Sequence, residues 1–176
     1  KRSTSCYPVG YVVPMFPHII SNGICSLNPN VDRLTLSVIM KIDNEGNVID
    51  YDIKKSVINS KKKMTYEDVN KILVNNEMVP GYENFINDLK LMEELHHILD
   101  TNKKNRGYLN FGDHDIKVEY NLNGNVKSIS LLTRKVSEMM IEDFMLKANE
   151  TVATFARSLQ LIFNYRVHPS PNPEII

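Results

Sequence analysis

Several groupings of residues in this chain have the types and spacing that chemistry uses. "EELHH" sets Glu93 and His96, and Glu94 and His97, three residues apart, the Glu-x-x-His spacing by which helical bundles ligate paired irons. Such a centre needs a second copy on another helix and two further inward carboxylates. The chain has one copy, so the motif reads first as a solvated helix face. "GDHDI" gathers Asp113, His114 and Asp115, and "IDYD" puts Asp50 and Asp52 on one side of a strand. Either grouping offers oxygen ligands to a hard cation, yet turns and strand exteriors hold aspartate without any ligand. Tyr7, Tyr66 and Phe111, with "SKKK" just ahead of Tyr66, have the makings of a single-strand nucleic-acid surface, because bases stack on rings while ammonium groups follow phosphates. Taken one at a time, each of these aromatics fits a core boundary as well, and "SKKKMTY" a solvated turn.

Other chemistries find no support. There is no P-loop, no Rossmann glycine pattern and no G-x-S-x-G elbow. Lys and Arg together number 21, as do Asp and Glu, so net charge advertises no polyanion or membrane partner. The two cysteines, Cys6 and Cys25, have no zinc-ligand spacing and read as free thiols in a reducing compartment. No apolar stretch reaches the roughly twenty residues that span a bilayer. A cytoplasmic location without membrane attachment is the expectation.

These residues must be positioned by elements that the hydrophobic pattern locates. With 176 residues, 42% of them hydrophobic, the chain is long enough to bury one sizeable core. Pro8, Pro14 and Pro17 make the start an extended lead-in, with a helical turn at His18–Asn22. Leu34, Leu36, Val38, Met40 and Ile42 alternate with mostly polar residues, as do Ile49, Tyr51, Ile53 and Val57 across "DNEGN", so residues 32–58 read as a hairpin. Thr65, three residues before Asp68, starts a helix carrying Tyr66 in its first turn. Phe85, Leu89, Met92, Leu95 and Leu99 mark a second helix that "RG" at 106–107 stops. Ile116, Val118, Tyr120 and Leu122 run into "NGN" and return over Val126–Leu132 as a second hairpin. A third helix runs from about Arg134 to Leu159 along Val136, Met140, Phe144, Ala148, Val152, Phe155 and Leu159. "IFNYRVH" reads as a last strand, and the Lys/Asn-rich stretches at 60–63 and 101–105 as solvated turns. The expected class is α+β: antiparallel hairpins with three main helices and no internal repeat.

Several long strings carry more than pattern. "RSTSCYPVGYVVPMFPHIISNGICSLNPNVDRLTLSVIMKID", "SVINSKKKMTYEDVNKIL", "NRGYLNF", "MIEDFMLKANETVATF" and "YRVHPSP" resemble, in wording and order, the middle of the RNB catalytic domain of the ribonuclease R and ribonuclease II exoribonucleases, with "SNG.CSLNP.VDRL" and "LTY" elements nearer bacterial ribonuclease R. Members of that family are processive 3′-to-5′ hydrolases. They thread single-stranded RNA into a channel and release nucleoside 5′-monophosphates with divalent metal, Mg²⁺, held by an Asp cluster.

The resemblance implies that residues 1–176 are a central part of such a domain. The Asp cluster lies upstream of the matched region and an Arg-containing segment downstream, so neither catalytic nor metal-binding residues are expected in this chain. Opening on "KRSTSCYPVG" without an initiator Met agrees with a start inside the domain. The implied partners are single-stranded RNA, the rest of the catalytic domain and flanking RNA-binding domains. By position in the family strings, Tyr7 stacks on a base near the RNA 3′ end, Phe111 clamps the other side of the stack, and Tyr66 and Glu142 contact the incoming nucleotide and favour ribose. Glu142 falls opposite the Met140/Phe144/Ala148 stripe, free to accept from a 2′-OH, and Tyr66 sits at a helix end that attracts phosphate. Two positions depart from the family: Asp143 stands where many relatives have a second Glu, and Cys6 where they tend to have Val. This part alone is expected to be inactive; the alternative reading is a stand-alone, non-catalytic RNA-binding module.

Overall fold

Prolines determine how the chain enters its first element. In the computed structural model, which describes residues 4–8, 11–108, 115–121, 125–132 and 134–167, Cys6 and Val13 exchange two backbone N–H···O bonds of 2.9 Å around the Pro8 segment. Pro17 then opens a wide π-type helical turn, Ile19–Ile24, where the sequence predicts one. The chain continues as strands β1 (Asp32–Ile42) and β2 (Val48–Asn59), helices α1 (Tyr66–Leu73) and α2 (Ile86–Asn105), strands β3 (Asp115–Tyr120) and β4 (Val126–Leu132), and helix α3 (Val136–Ser158). β1 pairs with β2 and β3 with β4. This is the expected α+β class, with its two hairpins and three main helices. Where length favours one unit, the fold divides into two: Lys1–Ile39 with Asp52–Leu89, and Met40–Tyr51 with Lys90–Ile176.

In the first unit, Arg33 adds to the bonds of two carbonyls at and just beyond the end of the π-type turn, donating from Nε to Ser26 O at 3.0 Å and from Nη2 to Gly23 O at 3.3 Å. Gly23 O belongs to the last turn, the negative end of a short helix, where a guanidinium is favourable. Arg33, Thr35 and Ser37 therefore face inward, the two hydroxyls meeting Ser56 of β2. The alternation predicts the reverse. Leu34, at 88% exposure, and Leu36 lie on the open face, because satisfied hydroxyls and a guanidinium, not apolar side chains, occupy the covered side of this half of β1.

α1 begins as its sequence dictates. Thr65 is extended at φ −107° and its Oγ1 accepts from Asp68 N at 3.1 Å, satisfying one of the orphan N–H groups of the first turn. Val69 and Ile72 bury its inner face, and Tyr82 and Leu89 complete the apolar core of this unit. Thr65→Ala is expected to cost this unit about 1 kcal/mol, visible as a lower denaturant midpoint at unchanged slope.

In the second unit the turn between β1 and β2 folds on Asp43, whose Oδ1 accepts from Glu45 N at 2.9 Å and Asn47 N at 2.8 Å. These bonds hold its carboxyl below the usual range, the one from Asn47 most strongly and against the effect of burial. Gly46, at φ +81°, lies so close to α2 that a Cβ would come within 2.8 Å of Asn102 Cβ, and Asn102 Nδ2 donates to Glu45 O at 2.8 Å. α2 runs on to Asn105 and ends at Gly107 with φ +91°, as "RG" predicts. Residues 101–105 are thus its last turn, not a solvated loop. β3 and β4 pair antiparallel with Ile116 opposite Leu131 and Val118 opposite Ile129, and a bulge at Glu119/Tyr120.

Along α3 the buried face is rotated from the expected stripe. Ser137, Met140, Asp143, Thr151 and Ala156 are buried, while Phe144, Ala148 and Phe155 are half-buried. Thr151 stays satisfied by donating to Lys147 O at 2.8 Å, and Phe155 packs edge-on against Tyr51 with centroids 6.2 Å apart. Residues 161–167 form no strand. None of the described residues pairs with their backbone as a ladder, and a strand exists only through such a partner.

Candidate nucleic-acid interface

Tyr66 is the first residue of α1, so the Thr65 cap fixes where its ring begins, and the residue is half exposed. The expected appeal of the helix end to phosphate is reduced. Glu67 and Asp68 occupy the first turn, and the carboxylate of Asp68 accepts from Thr65 Oγ1 at 2.8 Å and Tyr82 Oη at 3.2 Å. The Thr65 bond holds the Asp68 carboxyl below its usual range, against burial and with help from Tyr82 and Lys71. Tyr66 therefore offers a ring face rather than an anion-binding helix terminus.

Tyr7 follows the Cys6–Val13 bridge and is 77% exposed. An aromatic this open in a backbone segment held on both sides costs little entropy to order against a base. Tyr7 and Tyr66 both belong to the first unit and Glu142 to the second. Phe111 lies outside the described residues. Glu142 is not free as expected: its Oε2 accepts from Arg134 Nη1 at 3.1 Å. Both partners are partly open to solvent, so the pair holds little energy and a ribose hydroxyl can compete for the carboxylate.

Among the described residues no group of three or more His, Cys, Asp or Glu is placed to hold a metal ion. Asp50 accepts from Tyr51 N at 2.9 Å, and Asp52 pairs with Lys54. Asp113 and His114 lie outside the described residues. The donor set on view does not fit a divalent cation, so no chemical step is assigned to a metal on these residues. No helix of the described residues is long and apolar enough to cross a membrane.

The second unit also buries a polar group where the sequence predicts a solvated helix face. His96 is not on a solvated face: it is 4% exposed, and its Nδ1 lies 2.7 Å from Asp143 Oδ2. The other oxygen, Oδ1, accepts from Lys103 Nζ at 2.5 Å. Burial pushes the Lys103 ammonium down, but the bond and charge of Asp143, with Tyr108 and Asp100 beside it, outweigh this and hold it above the usual lysine range. The signal was present. Leu89, Met92, His96, Leu99 and Lys103 follow one another at three- and four-residue steps, and Asp143 stands three residues after Met140, so each lies on a core stripe.

A family model for the RNB domain matches residues 1–176. Ribonuclease R 1 of Lactococcus lactis subsp. lactis is 44% identical over 175 residues, 99% of this chain and 21% of the relative. Ribonuclease R of Thermotoga maritima is 45% identical, covering 100% of this chain and 25% of the relative. The chain thus spans about a fifth to a quarter of the length of these curated relatives. Among solved structures, Mycoplasma genitalium RNase R in complex with ribose methylated single-stranded RNA superposes with a TM-score of 0.89 at 32% identity, over 98% of this chain and 27% of that one. The Dss1 exoribonuclease of Candida glabrata shares the fold at a TM-score of 0.73 and 19% identity. From its first residue to its last, this chain belongs to the RNB domain family.

Proposed function

We propose that the chain is the central part of the catalytic domain of a processive 3′-to-5′ exoribonuclease that hydrolyses single-stranded RNA to nucleoside 5′-monophosphates. In this reading it grips the RNA with Tyr7, Tyr66, Phe111 and Glu142. The carboxylates that hold Mg²⁺ lie elsewhere in a longer, cytoplasmic enzyme with flanking RNA-binding domains. The observation that carries the reading is the match of the whole chain to the RNB domain. An open Tyr7 ring adds to it, since stacking accepts any base and suits an enzyme that reads no sequence.

Metal-assisted hydrolysis needs carboxylates to hold the cations that generate the nucleophile and stabilise the leaving oxygen. The chain alone, incubated with Mg²⁺ and a single-stranded oligoribonucleotide, is therefore expected to release no mononucleotide while the full-length enzyme does; release by the chain alone overturns the division of labour. In the full-length enzyme, Tyr7→Ala is expected to weaken RNA binding by about 1–3 kcal/mol, roughly five- to 150-fold in Kd. Unchanged binding would remove Tyr7 from the interface.

A further inference from the structure

The buried carboxylate of Asp143 lies next in sequence to Glu142, and the geometry points to a division of work between them. Successive residues on an α-helix diverge by about 100° around its axis, so the direction of one side chain fixes the direction of the next. The Asp143 side chain, 2% exposed, is tied by both oxygens to α2: Oδ2 to His96 Nδ1 at 2.7 Å and Oδ1 to Lys103 Nζ at 2.5 Å. His96 and Lys103 are seven residues apart, about two turns of helix. Meeting both from one carboxylate sets the rotation of α3 and its height along α2. Water does not compete at this depth, so the tether holds in one arrangement. On the other flank Arg134 meets Glu142 in a pair open to solvent, which yields easily.

We propose that Asp143 is a positioning residue: through His96 and Lys103 it holds α3 at the rotation that aims Glu142 at the sugar of the bound nucleotide, and so sets the preference for ribose over deoxyribose. This rests on the reading that Glu142 contacts that sugar, and the experiment keeps the two apart. In the full-length enzyme, kcat/KM is measured on an RNA oligomer and on the DNA oligomer of the same sequence, for the parent, Glu142→Gln, Asp143→Asn, Lys103→Met and the Glu142→Gln/Asp143→Asn double variant. Glu142→Gln and Asp143→Asn are each expected to lower the RNA-to-DNA ratio about tenfold, the loss of one hydrogen bond to a charged group. The double variant is expected to fall no further, because the two act through one contact.

Lys103→Met keeps His96 on Asp143 and provides the readout where Asp143→Asn does not fold; a several-fold loss of the ratio is expected. A purely structural carboxylate would lower both rates together and leave the ratio alone. An unchanged ratio in Asp143→Asn and Lys103→Met, with Glu142→Gln still losing it, overturns the positioning role alone. An unchanged ratio in Glu142→Gln overturns the contact on which it rests.

Discussion

Asp143→Ala is expected to destabilise the second unit by about 3–5 kcal/mol, the cost of removing one partner from a buried ion pair. The change leaves the Lys103 ammonium, 13% exposed, with only the longer 3.8 Å ion pair to Asp100 among the described residues, beside a His96 ring that is 5% exposed. Neither recovers its water without opening the helix pair. The open pair Arg106–Glu150, 3.1 Å long and about half exposed on both sides, is the contrast: Glu150→Ala should stay within about 1 kcal/mol. Equilibrium denaturation of the two variants side by side checks the difference, and near-equal midpoints would mean that the Asp143 cluster is no more desolvated than a surface pair. Replacing His96, Lys103 and Asp143 together by Leu, Met and Leu should recover most of the loss, since an apolar cluster of similar volume escapes the desolvation cost altogether. Because Lys103 is held above its ordinary value, its contribution is fully present below the unfolded lysine pKa of about 10.4 and is lost as pH rises through the higher folded value. The part of the gap between parent and Asp143→Ala that the Lys103 charge supplies is therefore expected to persist through neutral pH and to be lost in strong alkali.

This cluster marks the boundary of what the sequence made legible. Elements whose signals are local came through: the Thr65 cap, the Gly107 stop and the pairing of β3 with β4 each follow from a few neighbouring residues. Placement against the rest of the fold did not. Period-2 alternation says which side chains share a face of β1 but not which face is covered, so Leu34 and Leu36 turned outward while Thr35 and Ser37 went in. Hydrophobic stripes likewise omit polar residues that are buried because they are paired. That is how His96 reads as part of a solvated face and Asp143 only as a departure from the family string, while both, with Lys103, lie on the stripes of α2 and α3. Residue type alone makes Tyr7, Tyr66 and Phe111 candidates for stacking, but the roles proposed for them, and Glu142 altogether, rest on the family strings; exposure alone separates Tyr7 from no other open aromatic, and Glu142 from no other helix carboxylate.

Tyr82→Ala is expected to cost the first unit about 3–5 kcal/mol, the range for truncating a buried aromatic. The expected cost of Tyr82→Phe is about 1 kcal/mol, the net worth of its hydrogen bonds. Tyr82 is 3% exposed, its ring 4.3 Å below Lys62 Nζ, and its hydroxyl joins the start of α1 at two points, accepting from Thr65 N at 3.3 Å and donating to Asp68 Oδ2 at 3.2 Å. The residue thus underlies the cap from which Tyr66 is displayed, and the two substitutions separate its tasks. Loss of the ring opens the core beneath α1 and should weaken RNA binding as much as Tyr66→Ala does. Loss of the hydroxyl alone leaves the ring packed and should leave binding nearly intact. Asp68 supplies the pH signature. Its carboxyl is held low, so its stabilisation is present above the unfolded value of about 3.9 and disappears as pH falls through the folded one. With one of its donors gone in Tyr82→Phe, the deficit against the parent should be full at neutral pH and shrink in acid. A deficit that stays constant down to pH values below both pKas would mean the hydroxyl acts on Thr65 N alone. Full RNA binding in a folded Tyr82→Ala variant would show that Tyr66 does not need this support for the nucleotide contact proposed for it.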